Sequence, residues 1–130
     1  MLSAAFDVKS MLWRTSPAST ELEEVVLDWL RQMMGLDSGM AGIIYDTASV
    51  SSMHAIAAAR EGVEMRIREE GMSGRKDLPL LRVYASEQAH SSIDKGIITL
   101  GLGQKSLRRI PTDDQFRMDA KALADSIEED

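Results

Sequence analysis

One stretch limits the possible folds of this chain more than any other. Leu80 to Ala85 is a short apolar run behind Pro79, and it gives way to Ser86-Glu87-Gln88-Ala89-His90-Ser91-Ser92. The run has the length and content of a strand, and the polar stretch has the content of a loop opening a helix at Ser91 or Ser92. That helix is expected to stop near Gly101, and a further strand is expected from Ser106 to Ile110. Strands joined through a helix lie parallel, because the chain must cross back before it can run the same way again. In open parallel sheets, ligands bind beyond the carboxyl ends of strands. His90 stands at such an end.

The alternation extends in both directions. Ser16-Pro17-Ala18-Ser19-Thr20-Glu21 punctuates the chain, and Pro17 with a Ser16 or Ser19 cap opens a helix. Leu22, Val25, Val26, Trp29, Leu30 and Met33 recur every three or four residues, with acids on the other face. Gly35 is the expected cap. Ile43-Ile44-Tyr45 has the content of a further strand, ending in Asp46-Thr47-Ala48-Ser49. A second helix is expected from Ser49 to Glu70. Its packing side carries Ala55, Ile56, Ala58, Ala59, Val63 and Ile67, and that much alanine points to close approach to a sheet. Gly71 to Leu78 is a polar loop. After a turn at Pro111 to Asp114, a last amphipathic helix covers Asp119 to Ile127. Met1 to Thr15 has mixed character, with room for a short helix before the apolar patch Met11-Leu12-Trp13.

The expected class is α/β, with short, mostly parallel strands alternating with helices. Residues 1–20 form an N-terminal segment and linker, and residues 21–130 the domain. Three short strands make a narrow sheet whose outer strands need cover, so the chain is expected to be part of a larger domain.

Composition removes several kinds of function. Fifteen basic against twenty-one acidic side chains leave a net charge of −6, and the arginines and lysines lie among acids. Phosphate neutralisation needs a clustered positive surface, so nucleic acid is not an expected partner. There is no cysteine, which removes disulfides, thiolate metal sites and cysteine nucleophiles and is compatible with a reducing compartment. No apolar run approaches the ~20 residues that span a bilayer. Met1 to Phe6 carry neither a basic stretch nor a sustained apolar core, so no secretory leader is expected there and the cytoplasm is the default. No Gly-x-Ser-x-Gly elbow occurs for serine hydrolysis. With only His54 beside His90, a metal centre is not expected either.

Two candidate sites remain, each with two readings. A strand end running into Thr47-Ala48-Ser49 at a helix start exposes N–H groups and hydroxyls at the positive end of the helix dipole, which suits a phosphate. On residue types alone, serine or threonine at a helix start is usually just a cap. His90 can be a hydrogen-bonded loop residue, or a flat titratable ring set against a ligand. Glu87 and Asp94 are expected in solvated ion pairs with Arg82 or Lys95. Trp13 can line a pocket or a subunit contact.

Three separated segments carry a resemblance. Ser16 to Glu23 is followed by Asp28-Trp29-Leu30; Asp46-Thr47-Ala48-Ser49 by Ala57-Ala58-Ala59-Arg60; and Ser86 to Ser92 by Arg109-Ile110-Pro111. In order and spacing they resemble the group II pyridoxal-phosphate-dependent decarboxylases, the aromatic-L-amino-acid decarboxylase family, over nearly the whole chain from Trp13 onward. The resemblance implies the large domain of a type I (aspartate aminotransferase-like) pyridoxal-phosphate enzyme, an obligate homodimer acting on an amino acid, an aromatic one in the first instance. It implies that Thr47, Ala48 and Ser49 hold the cofactor phosphate and that His90, as cofactor-binding and catalytic residue, stacks on the pyridine ring. The family's cofactor-linking lysine and its ring-pairing aspartate fall beyond Asp130. None of Lys9, Lys76, Lys95, Lys105 and Lys121 sits in the family's histidine-lysine pair. The chain alone is therefore expected to be inactive, with the parent protein the enzyme. Lys9 and Met11 stand near the family's substrate-pocket residues. Two other readings stand beside it: a non-catalytic α/β module binding a phosphate compound or a protein, and a structural piece that associates through uncovered apolar surface.

Overall fold

The computed structural model describes Ala5 and residues 12–130. The short helix expected before Met11, together with Lys9 and Met11, falls outside the described residues. The chain divides into two compact units, Met1–Tyr45 and Asp46–Asp130.

In the first unit, α1 spans Pro17–Met33, with Ser16 at its N-cap and proline in its first turn. The Ser16 hydroxyl does not cap the helix; it donates instead to Ser19 Oγ at 2.8 Å. The helix ends as the sequence leads one to expect. Gly35 adopts φ +67°, and the N–H groups of Gly35 and Leu36 donate back to Gln32 and Arg31 at 3.1 and 3.0 Å. This paired closure is the Schellman arrangement, which a residue with a Cβ would strain. The apolar stripe of α1 stays open, with Leu22, Trp29 and Met33 at 63%, 59% and 75% exposure. Ile43-Ile44-Tyr45 corrects the sequence reading, because it forms no strand. Its backbone meets no partner strand among the described residues, and the Ile44 N–H donates to Glu23 Oε1 of α1 at 3.0 Å.

The second unit opens with α2, Ala48–Glu61. The single helix expected through Glu70 is broken. Gly62 caps α2, and Glu64 and Arg66 take left-handed φ values of 54° and 52°, a conformation that costs an L-residue ~1–2 kcal/mol. The bend turns the short α3, Ile67–Glu70, so that Ile67 is buried. Arg75 spans the bend, donating to the Met65 carbonyl at 2.7 Å and pairing with Glu70.

β1, Val83–Ser86, and β2, Leu107–Ile110, pair in parallel, with Val83 opposite Leu107 and Ser86 opposite Ile110. They are the only strands among the described residues, where three were expected. Between them runs α4, Ser92–Thr99, with a 3-10 turn at Gln104–Ser106. Helix α2 packs mainly on α4 rather than on the sheet. Gly96 permits this contact, since a Cβ there would lie 3.2 Å from Ile56 Cδ1 and 3.5 Å from Met53 Cα. The alanine face of α2 meets the sheet side across a hollow of about 430 Å³, lined by Ala55, Ala59, Leu81 and Val83. Ile97 and Ile110 are fully buried and anchor a small core with Ala85 and Ile67.

Helix α5, Ala120–Glu129, starts at Asp119, whose carboxylate accepts from Lys121 and Ala122 N–H at 2.8 and 3.0 Å. Its far end is held to the sheet by Asp130, whose side chain is only 5% exposed. That carboxylate accepts from Arg108 at 2.7 and 2.9 Å and from the Tyr84 hydroxyl at 3.0 Å, and it pairs with Arg82 at 2.7 Å. The Arg108 guanidinium holds the Asp130 carboxyl below its ordinary value; Tyr84 and Arg82 add to this, against the opposing effect of burial. A carboxylate lowered in the folded state contributes stability above its unfolded pKa, about 3.9, and that contribution fades as pH falls through the lower folded value. In the full-length protein, Asp130→Asn should lower stability near neutral pH and flatten the acid limb of the melting temperature. Melts taken from about pH 7 down to about pH 3 check this; an unchanged acid limb would mean that the cluster adds nothing.

Candidate cofactor site

The first candidate segment is the start of α2. Thr47 is extended, and its Oγ1 accepts the Val50 N–H at 3.3 Å as a cap, which leaves the hydroxyl proton to donate elsewhere. The N–H groups of Ala48 and Ser49 belong to the first helical turn, where no carbonyl four residues earlier is available to them. Neither these groups nor the Ser49 hydroxyl has an acceptor among the described residues. Ser49 is exposed and the first turn carries no acid. Open donors at the positive end of a fourteen-residue helix fit a phosphate group.

The second is the turn from β1 into α4. The Ala89 N–H closes on the Ser86 carbonyl at 2.9 Å, and the Gln88 N–H on Ser86 Oγ at 3.1 Å. His90 Nδ1 accepts the Ser92 N–H at 3.1 Å. An accepting Nδ1 leaves the proton of the neutral ring on Nε2 and fixes the ring plane. The side chain is exposed. An exposed flat ring locked through one edge fits a planar aromatic ligand.

The fold brings these two starts together. Ser49 and Val50 of α2 and Ser92, Lys95 and Thr99 of α4 line one hollow of about 150 Å³. Thr47, Ala48 and His90 are not among its walls, but each lies within two residues of one that is. His54 stays apart, with Nδ1 2.9 Å from the Val50 carbonyl. Among the described residues, no three histidine, aspartate or glutamate side chains lie together as a metal needs.

The acids beside His90 do not take the partners expected of them. Glu87 Oε1 accepts from the Thr112 N–H and hydroxyl at 3.1 and 2.9 Å. Asp94 pairs with Arg109 at 2.6 Å, and Arg109 also donates to the Ser86 and Ala89 carbonyls, each at 3.2 Å. Arg82 turns instead to Lys105 O and Asp130. Sequence reasoning missed Arg109 as a site residue. No local pattern signals it: Arg109 lies in β2, opposite Ala85, and reaches the histidine loop only through the parallel register.

A parallel strand pair with helix starts gathered at the strand ends puts the chain among α/β domains that hold ligands outside the carboxyl edge of the sheet. Known proteins narrow that class. The pattern of the pyridoxal-dependent decarboxylase conserved domain matches residues 1–130. Histidine decarboxylase of Rattus norvegicus is 37% identical over 142 residues, taking in 100% of this chain and 21% of that protein. Aromatic-L-amino-acid decarboxylase of Sus scrofa is 36% identical over 140 residues, covering 100% of this chain and 28% of that protein. The crystal structure of mouse CSAD in its apo form shares 30% identity at a TM-score of 0.89, over 98% of this chain and 26% of that one. The chain belongs to the pyridoxal-dependent decarboxylase family, whose cofactor is pyridoxal phosphate. It spans 21% and 28% of the length of the two curated relatives.

Proposed function

We propose that this chain supplies the phosphate-holding helix start and the ring-facing histidine of a pyridoxal-phosphate-dependent decarboxylase of aromatic L-amino acids, with residues 21–130 as its part of the cofactor domain. The carrying observation is the shared hollow, in which Ser49 at the start of α2 stands with Ser92, the residue whose N–H holds the His90 ring. When bound, the cofactor supplies an electron-accepting ring for the loss of carbon dioxide from an amino acid.

The chain's own residues bind and orient. Ala48 and Ser49 donate N–H bonds, and Ser49 a hydroxyl bond, to the phosphate. Those bonds anchor one end of a rigid planar group, and the helix dipole favours the charge they hold. With the cofactor bound, the His90 ring would lie against its flat face and limit tilting, and the Ser92 N–H keeps the imidazole from turning. Together these residues would hold the group in one orientation, the kind of alignment that speeds a reaction at a bound group. The exposed stripe of α1 supports a homodimeric assembly of the complete protein, and the lack of cysteine is compatible with a cytoplasmic one.

The aromatic substrate rests on likeness to the aromatic-L-amino-acid decarboxylase, and the histidine decarboxylase is equally similar. Carbon dioxide release by the full-length protein separates the two when L-tryptophan, L-tyrosine, L-histidine and L-glutamate are offered in turn. Fastest turnover of tryptophan or tyrosine is expected. Preference for histidine or glutamate would overturn the aromatic reading, and cofactor binding without release from any amino acid would overturn the decarboxylase reading.

A further inference from the structure

We infer that Arg109 is a positioning residue for His90, acting through the backbone of the histidine loop. This rests on the cofactor reading of His90 given above. The guanidinium reaches the loop on both sides of the histidine. Nη1 donates to the carbonyls of Ser86 and Ala89 at 3.2 Å each, and Nη2 donates to Asp94 Oδ2 at 2.6 Å. Ala89 precedes His90, and Asp94 sits in the first turn of α4, two residues beyond the Ser92 N–H that holds the ring. The parallel register explains the reach, because Arg109 lies opposite Ala85, one residue before the loop departs.

Three acceptors set at fixed angles suit a planar, five-donor fork and not a single ammonium. Both side chains of the Arg109–Asp94 pair are about one-third exposed, at 35% and 30%. An ion pair so open to solvent contributes little to overall stability. Its effect falls on the geometry of the loop. Without Arg109 the Ala89 carbonyl has no donor among the described residues, and the hydrogen-bonded link from the Arg109 side chain of β2 to the first turn of α4 is cut. The strand-proximal part of the loop stays tied through Glu87 and Thr112. The loop then remains attached at one side while the ring it carries gains freedom.

The test uses the full-length protein with Arg109→Ala, Arg109→Lys and His90→Ala. Hydrogen exchange on the cofactor-free protein reads the loop directly. The amides of Ala89 to Ser92 should exchange about tenfold faster in both Arg109 variants, with the amides of α2 unchanged. On the loaded enzyme, kcat should fall about tenfold or more while KM for the amino acid stays within about twofold. The visible circular dichroism of the bound cofactor should weaken, and guanidinium salts should restore part of the kcat of Arg109→Ala. A folded Arg109→Lys with wild-type loop exchange and wild-type kcat would overturn the inference, and it serves even where Arg109→Ala does not fold. If that result came while His90→Ala still lost activity, the cofactor reading would survive alone. Near-normal turnover of His90→Ala would remove the reading and the inference with it.

Discussion

His90→Ala in the full-length protein is expected to lower turnover about 100-fold or more, the scale on which loss of reactant alignment acts. The substitution removes two things at once. It takes away the flat ring proposed to stack on the cofactor, and it leaves the Ser92 N–H, now held by Nδ1 at 3.1 Å, without that acceptor. Ser92 is buried, so the second loss disturbs the first turn of α4 as well. His90→Phe and His90→Asn divide these contributions. Phenylalanine keeps a flat face and lacks the acceptor, whereas asparagine keeps an acceptor and lacks the face. If stacking dominates, Phe should retain more turnover and more tightly held cofactor than Asn. Steady-state kinetics, with cofactor content read by visible absorbance, decides it. Near-normal turnover in His90→Ala would end the stacking role.

Residues differed sharply in how much the sequence alone disclosed. Helix α1 was legible because every contributor lies within it: the three-and-four spacing, Pro17 at its start and Gly35 at its end. The strand–helix–strand unit from Val83 to Ile110 was legible for the same reason, and so was the position of His90 within it. Ile43 to Tyr45 was misread because a strand is defined by its partner, and an extended apolar triplet looks the same with or without one. The break at Gly62 to Arg66 was hidden too. Glu64 and Arg66 have no preference for left-handed backbone, and tertiary anchors such as Arg75 hold them there. Within the site, His90 was visible as a residue type at a strand end and Ser49 as one at a helix start, but the hollow that Ser49 shares with α4 depends on Gly96 admitting the helix contact. Arg109 was invisible for a different reason. Its role comes from lying one strand over in a parallel register, and no local pattern encodes that register.

Ser49→Asp gives the sharpest separation of cap from phosphate site, because the two roles predict opposite signs. Ser49 is the second residue of α2, where the helix presents its positive end and the first turn has no acid. A carboxylate there stabilises a helix by ~0.3–1 kcal/mol. If the segment is only a cap, Ser49→Asp should therefore leave the protein as stable or slightly more so, with cofactor affinity unchanged. If Ala48 and Ser49 hold a phosphate, the new charge faces a group carrying nearly two negative charges. Like charges brought together at a binding surface cost several kcal/mol, and each ~1.4 kcal/mol is tenfold in affinity. The expected result is a loss of at least ~100-fold in pyridoxal phosphate affinity, beside an unchanged or raised melting temperature of the cofactor-free protein. Ser49→Ala sets the scale, since losing one hydrogen bond of ~1 kcal/mol weakens binding about fivefold. Equilibrium dialysis of the full-length protein against pyridoxal phosphate, with pyridoxal as the ligand lacking the charge, measures both arms. The Ser49→Asp penalty should fall on the phosphorylated ligand and largely spare pyridoxal. Equal loss for both ligands would indicate a distorted pocket, and undiminished binding of pyridoxal phosphate would place its phosphate somewhere other than the start of α2.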